Sequence, residues 1–206
     1  MKLLGVVMAG GRNTRYGGLK AFADVGGTRI VDRVIKTLRS VTDEVVVIAN
    51  DAAAYAELEL PVRSDETAAG AALAGLLTAL HWSEERHCDG IVTIACDMPF
   101  AATGLIAHLV ATAAQVNADV VVPESGGPRG VEPLCAWYSN RCIPAITQAI
   151  ARDDYRMIGF YDDVALIITV ASAEVRRFGD PAVLFMNVNT RVELASAQRI
   201  AQSEVS

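Results

Sequence analysis

From Met8 to Lys20 the chain reads Met8-Ala-Gly-Gly-Arg-Asn-Thr-Arg-Tyr-Gly-Gly-Leu-Lys20, directly after a short apolar run. Gly10 and Gly11 lack a Cβ, so the backbone can turn tightly there and come close to an anion. Successive backbone N–H groups in such a turn can hold phosphate oxygens. Arg15 adds a bidentate fork and Lys20 a point charge, so the loop carries both kinds of phosphate ligand. It is not a Walker A loop, because no Gly-Lys-Ser/Thr triplet is present, and G-x-G-x-x-G is absent from residues 10–20. Taken by itself, the turn reads equally as a structural loop with solvated Arg and Lys side chains.

A carboxylate stands at a second place of the same kind. The run from Gly90 to Ala95 ends in Cys96-Asp97-Met98-Pro99. An aspartate at the carboxyl end of a central strand lies on the edge where open α/β sheets bind ligands. Mg2+ is commonly held by one or two carboxylates together with phosphate oxygens and water. The alternative is a turn or capping aspartate ahead of a helix near Thr103, which Pro99 would also suit. His81, His87 and His108 have no catalytic-looking partners, and neither a Ser-His-Asp set nor a zinc-protease motif is present. Cys88, Cys96, Cys135 and Cys142 form no C-x-x-C pair and no zinc spacing, which is the pattern of buried free thiols in a reducing cytosol.

The elements that must position these residues follow from periodicity. Leu3–Met8, Glu44–Ala49, Gly90–Ala95, Ala118–Pro123 and Val164–Ala171 are short, largely β-branched runs that read as strands buried on both faces. Helical patterns lie between them, at Ile30–Arg39, Ala71–Trp82, Thr103–Gln115, Arg141–Arg152 and Thr190–Gln202. The last opens with Thr190 and Glu193 at capping-box spacing. Alternating strand and helix argues for an α/β fold, a three-layer Rossmann-like arrangement with a mostly parallel sheet and helices on both faces. Val131–Tyr138 reads as an additional strand, at an edge or with an irregular start because of Pro133. The stretch from Pro123 to Gly130 reads as a loop.

The chain has 206 residues, 52% of them hydrophobic and 20% charged, enough for a sizeable core and too little charge for disorder. No linker or repeat divides it, so residues 1–206 read as one domain. The formal net charge of -6 disfavours nucleic acid and favours a small phosphorylated substrate held in a local basic pocket. No run approaches the roughly 20 apolar residues of a spanning helix, and the start lacks the pattern of a signal peptide. The expectation is a cytoplasmic protein that engages neither membrane nor nucleic acid.

On these residues the chain resembles the nucleotidyltransferase superfamily, and within it the molybdenum cofactor guanylyltransferases. Their loop reads approximately L-A-G-G-x-S-x-R-M-G-x-D-K, which Ala9, Gly10, Gly11, Arg15, Gly17 and Lys20 match in register. Met8 and Tyr16 are mild substitutions, and Leu19 replaces an aspartate. Asp97 and Pro99 match a C-D-x-P element. Leu73, Ala74 and Gly75 match part of a G-P-L-A-G helix start, with Ala71 and Ala72 in place of glycine and proline. Asp65 aligns with a family aspartate if one residue is dropped. Ile48 stands where some members place a nucleotide-binding asparagine, and Asn50 follows two positions on without an assigned role. Glu132-Pro-Leu-Cys-Ala-Trp-Tyr138 is similar to the family's E/H-P-L-x-A-x-Y strand beside the acceptor pocket. Phe185-Met-Asn-Val-Asn-Thr190 with Glu193-Leu194 is similar to its F-x-N-x-N-T-x-x-E-L ending.

The resemblance implies a Mg2+-dependent transfer of a guanylyl group from GTP to the phosphate of molybdopterin, releasing pyrophosphate. Met8, Ala9, Gly10, Gly11, Lys20, Asp65 and Asp97 would bind the nucleotide. Asp97 would hold the metal, and Arg15, Lys20 and Asp97 would carry the catalysis. Glu132, Asn187 and Asn189 would bind the acceptor, which makes about 1–100 a nucleotide half and about 101–206 an acceptor half of the single domain over 1–206. Asn187 and Asn189 alternate, so on a strand their amides share a face suited to a pterin ring; otherwise Asn189 makes a turn and Thr190 only caps a helix. The resemblance also implies transient contact with proteins that deliver or accept the cofactor. Leu19, Ile48, Ala71 and Ala72 leave room for CTP, or for a sugar or cobinamide phosphate acceptor. A silent nucleotide-binding regulator is a further alternative, against which Arg15, Lys20 and Asp97 speak.

Overall fold

The computed structural model describes residues 1–10, 20–65, 71–127 and 130–203. Its strands are β1 (Leu3–Met8), β2 (Asp24–Val25), β3 (Thr28–Arg29), β4 (Glu44–Ile48), β5 (Val62–Arg63), β6 (Gly90–Ala95), β7 (Val120–Pro123), β8 (Cys135–Ser139) and β9 (Ile167–Val170). Its α-helices are α1 (Ile30–Arg39), α2 (Ala72–Glu85), α3 (Thr103–Val116), α4 (Ile143–Ala151), α5 (Ser172–Val175), α6 (Pro181–Leu184) and α7 (Arg191–Ser203). Seven strands form one sheet in the order β5-β4-β1-β6-β8-β7-β9, and β2 and β3 make a small separate hairpin.

Strands β1, β4 and β6 are almost wholly apolar because helices cover them on both sides, and the buried Thr93 hydroxyl in β6 donates to the Ala136 carbonyl. Val7, Val45 and Val92 face α1 and α3 through Val34, Leu38 and Leu105. Leu4, Val46 and Ile91 face α2 and α4 through Leu76, Leu80 and Ile146. The expectation of a mostly parallel sheet holds. Strand β1 pairs in parallel with β4 and β6, β4 with β5, and β7 with β9; only β8 runs against its neighbours. From β1 the chain moves outward to β4 and β5, then returns to β6 on the other side of β1. That reversal puts a topological switch point between β1 and β6, the place where ligands bind in open α/β sheets.

Two sequence-based expectations fail. The strand around Tyr138 is not at an edge, for β8 lies between β6 and β7 with all five residues buried, while its irregular start is present: Val131 makes only an isolated bridge to Glu124, and the strand begins at Cys135 after a turn. Pro133 sits in the turn ahead of it, so it removes no ladder hydrogen bond. Gly90 lets β8 approach, because a Cβ there would run into the Tyr138 carbonyl oxygen and the Trp137 ring. The run from Val164 to Ala171 is not buried on both faces: β9 is shorter, lies at the sheet edge and leaves Thr169 exposed.

At the end away from the carboxyl edge, buried Asp119 ties the second half of the chain together. Its Oδ1 accepts from Arg141 Nε at 2.5 Å and its Oδ2 from the backbone N–H of Ala165 (3.1 Å) and Leu166 (2.9 Å).

Candidate functional site

Parallel pairing brings the two chemically loaded strand ends side by side. Met8 is in register with Ala95, and Cys96 N–H donates to the Met8 carbonyl at 3.0 Å. Gly10 and Asp97 each follow two residues beyond that register pair. The loop and the carboxylate therefore leave adjacent strands at the same edge, about 4.8 Å apart by ordinary strand spacing. Ala9 is pinned by its N–H to the Ile48 carbonyl at 2.8 Å, and Met8 and Ala9 are both buried. A Cβ on Gly10 would meet no atom of the described residues within 4 Å. Gly11 and Arg15 lie outside the described residues, as do Tyr16, Gly17 and Leu19.

Asp97 is 9% exposed and Lys20 stands over it. Lys20 Nζ donates to Asp97 Oδ2 at 2.6 Å and to Asn189 Oδ1 at 2.7 Å. The segment carrying Asn189 is docked onto the same residue through its backbone, Val188 N–H donating to the Asp97 carbonyl at 2.9 Å. One cation, one carboxylate and one amide thus converge from positions far apart in the chain. The reading of Asp97 as a helix cap is excluded, since α3 starts after Ala102 without a side-chain cap and the Asp97 side chain turns to Lys20. Beside it the Cys96 thiol is pushed up to about 12 by burial, then by the Asp97 charge, so it stays protonated. All four cysteines are buried and free.

Asp65 and Asn50 form a second cluster, over β4 and β5. Asn50 Nδ2 donates to Asp65 Oδ2 at 3.3 Å, and its Oδ1 accepts from Asp65 N–H at 3.2 Å. Asn50, to which the sequence assigns nothing, is the clasp that holds Asp65. The other oxygen, Asp65 Oδ1, is buried with no hydrogen-bond partner among the described residues. It faces Gly75, where a Cβ would come within 2.9 Å of it and within 3.2 Å of both Ile48 Cγ2 and Met8 Cε. Burial raises the Asp65 carboxyl above its ordinary value, and the hydrogen bond from Asn50 pulls it partly back. Ile48, in the place of a family asparagine, supplies a methyl wall.

The acceptor residues separate. Asn187 and Asn189 do not share a strand face, because the segment they occupy is irregular. Asn189 reaches Lys20, while Asn187 donates to the Phe185 carbonyl at 3.2 Å and lines a cavity of about 620 Å3 together with Glu132. Ser125, Ser172, Arg176 and Asp180 line that cavity too, and none of them was singled out by sequence. The capping box is present as expected. Glu193 Oε2 accepts from the N–H of Asn189 (2.7 Å) and Thr190 (2.8 Å), and Thr190 Oγ1 accepts from Glu193 N–H at 3.2 Å. Arg156 pairs with Asp154 at 2.6 Å, away from the cavity lining.

Among the described residues no three His, Cys, Asp or Glu side chains converge as a metal cage. No helix among them is long and apolar enough to cross a membrane.

Residues 5–164 match the family model described as the MobA-like NTP transferase domain. A probable molybdenum cofactor guanylyltransferase of Pelotomaculum thermopropionicum is 32% identical over 203 residues, covering 98% of this chain and 95% of the relative. A molybdenum cofactor guanylyltransferase of Desulfosudis oleivorans is 31% identical over 195 residues, covering 94% and 93%. Among solved structures, molybdopterin-guanine dinucleotide biosynthesis protein A of Archaeoglobus fulgidus superposes with a TM-score of 0.79, at 22% identity, over 98% of this chain and 99% of the other. That likeness bears on the fold, which is the nucleotidyltransferase fold. A match running through both strand ends, with relatives aligned along nearly the whole chain, makes this protein a member of the MobA-like NTP transferase family.

Proposed function

We propose that the chain is a guanylyltransferase that moves a guanylyl group from GTP onto the terminal phosphate of molybdopterin, with release of pyrophosphate. The observation that carries the reading is the convergence of Lys20, Asp97 and Asn189 at the joint ends of β1 and β6. The chain works as one unit in the cytoplasm, meeting proteins that deliver or accept the cofactor only transiently.

The backbone amides of Gly10 and of Gly11, the latter outside the described residues, are assigned to the triphosphate, and Met8 and Ala9 to the floor of the nucleotide site. Asp65 Oδ1, buried and without a partner among the described residues, accepts a hydrogen bond from the nucleotide. Lys20 and Arg15 stabilise the charge that develops on the departing pyrophosphate. The acceptor phosphate is already ionised near neutral pH, so no strong general base is needed and positioning carries much of the rate. Asn189 orients Lys20 between donor and acceptor, and Glu132 and Asn187 hold the acceptor.

A divalent cation suits this donor set. A single carboxylate with substrate phosphates is the way Mg2+ is commonly bound, and Asp97 is such a carboxylate at the ligand edge. When bound, Mg2+ supplies positive charge to the phosphates around the reacting phosphorus.

The test is turnover of GTP with molybdopterin and Mg2+, followed by pyrophosphate release, with CTP, UTP and ATP in parallel. Pyrophosphate released only with GTP and acceptor together is the expected result. Preference for CTP would replace the base assignment, for which Ile48 leaves room. Binding of nucleotide without turnover would leave a regulator.

A further inference from the structure

The cavity that holds Glu132 and Asn187 is lined on its far side by residues outside the family motifs. Its walls come from the loop after β7, the turn before β8, and the stretch from Ser172 to Phe185 that follows β9. Phe185 and Pro181 make an apolar side, while Arg176, Ser172 and Asp180 make a polar one. Arg176 forms no side-chain hydrogen bond or ion pair among the described residues, although Arg177 beside it lies 3.9 Å from Glu174. An exposed guanidinium without a hydrogen-bond or ion-pair partner among the described residues, at the rim of a half-apolar cavity, offers a planar pair of donors to a ligand.

Topology says which part of the ligand meets it. In the sheet β9 lies three strands beyond β6. At ordinary strand spacing, the residues following β9 are roughly 14 Å from those following β6, where Asp97 stands. Asn187 joins the two ends, for its neighbour Val188 is bonded to the Asp97 backbone. An acceptor whose phosphate approaches Lys20 and Asp97 therefore reaches the Arg176 wall with its other end.

Resting on the guanylyltransferase reading for the identity of the acceptor, we infer that Arg176 determines specificity at the ring end of the cavity. Its paired N–H groups donate to the two lone pairs of the oxo oxygen of a 2-amino-4-oxo heteroaromatic ring. Asp180 lies on the same polar wall; its Oδ1 accepts from Ala182 N–H at 3.0 Å. Phe185 covers a face of the ring. Arg176 does not bind the acceptor phosphate.

The test uses the full chain and a pterin bearing only a hydroxymethyl group, with no phosphate, titrated by its own fluorescence. Wild type should bind it, and Arg176→Ala should bind it about ten- to a hundredfold more weakly. Arg176→Lys should not restore binding, since a point charge lacks the paired donors. GTP affinity should be equal in all three proteins. With molybdopterin as acceptor, Arg176→Ala should raise KM and leave kcat nearly unchanged. Equal pterin binding in wild type and Arg176→Ala, full rescue by Lys, or no pterin binding to wild type would overturn the assignment. Wild type that binds the pterin through Arg176 but releases no pyrophosphate from GTP and molybdopterin would instead sink the guanylyltransferase reading.

Discussion

Replacing Gly75 by alanine separates stability from nucleotide binding in one substitution. Gly75 lies in the first turn of α2, and alanine there gains about 1 kcal/mol of helix propensity. Against this, the new methyl would stand 2.9 Å from Asp65 Oδ1 and 3.2 Å from Ile48 Cγ2 and Met8 Cε. Overpacking of this kind costs about 1–3 kcal/mol. The net loss should therefore be at most about 2 kcal/mol, a fall in Tm of up to roughly 4–8 °C. The carboxylate at the tip of Asp65 yields more easily than the two methyl walls, so the strain is relieved by displacing the oxygen assigned to the nucleotide. Losing that charge-assisted hydrogen bond should weaken GTP binding by about 1.5–3 kcal/mol, ten- to a hundredfold. In melting experiments at GTP a hundred times the wild-type Kd, the ligand contributes about 2.7 kcal/mol; a thirtyfold weaker site leaves ~0.9 kcal/mol. Gly75→Ala combined with Asp65→Ala should recover part of the stability while binding GTP no more weakly than Asp65→Ala alone, a non-additive pair. If Gly75→Ala binds GTP as wild type does, Asp65 is not a nucleotide contact and the reasoning fails.

Five further outcomes are expected. Lys20→Ala should lose at least about a hundredfold in turnover with its circular dichroism unchanged, and activity near wild type would remove Lys20 from the catalytic set. GTP binding should weaken as pH falls, because the accepting form of Asp65 is the carboxylate; with burial raising that group, the inflection lies above the ordinary carboxylate value. Asn50→Ala removes the hydrogen bond that favours ionised Asp65 and should move the inflection further up, whereas an unmoved profile would show that Asn50 does not act through Asp65. Asp119→Ala strands two backbone N–H groups and takes one of several acceptors from Arg141, so chemical denaturation should show a loss of about 2–6 kcal/mol with KM for GTP unchanged; a loss under about 1 kcal/mol would mean that the knot is not structural. Glu193→Ala should cost about 1 kcal/mol of stability and also lower kcat, and a variant with full kcat would show that Asn189 needs no support from the cap.

What the sequence makes legible is whatever repeats along it or stands at a strand end. Strands β1, β4 and β6 are almost wholly apolar runs, and their period identifies them. Asp97 is legible because it ends one of those runs, and Lys20 because it closes the glycine-rich loop. Strand β8 illustrates the limit. Its composition marks a strand, but direction and sheet order are set by which neighbours it meets, and Pro133 just outside its start imitates an edge signal. Residues 164–171 are apolar enough for a central position, yet β9 has only β7 beside it. Helices α5 and α6 are four residues each, shorter than any periodic signal. Asn50 and Arg176 belong to no motif; what each does becomes visible only when Asp65 is brought to the one and the cavity is closed around the other.

The Thr190–Glu193 cap shows why structural and functional readings of one residue need not compete. Glu193 accepts three hydrogen bonds on a single oxygen, from the N–H of Asn189 and Thr190 and from the Thr190 hydroxyl. A carboxylate near a helix start is favoured on its own account, since unsatisfied N–H groups and the helix dipole both attract it. Here one of those N–H groups is that of Asn189, whose side chain reaches Lys20. The residue before it, Val188, is bonded to the Asp97 backbone. The turn is therefore held at both ends, by the start of α7 on one side and by the end of β6 on the other, with the amide between them. An amide on an irregular segment would otherwise sample many rotamers, at an entropic cost to any contact it makes. The cap removes that freedom before substrate arrives, and so a feature that stabilises a surface helix also preorganises the cation standing over Asp97.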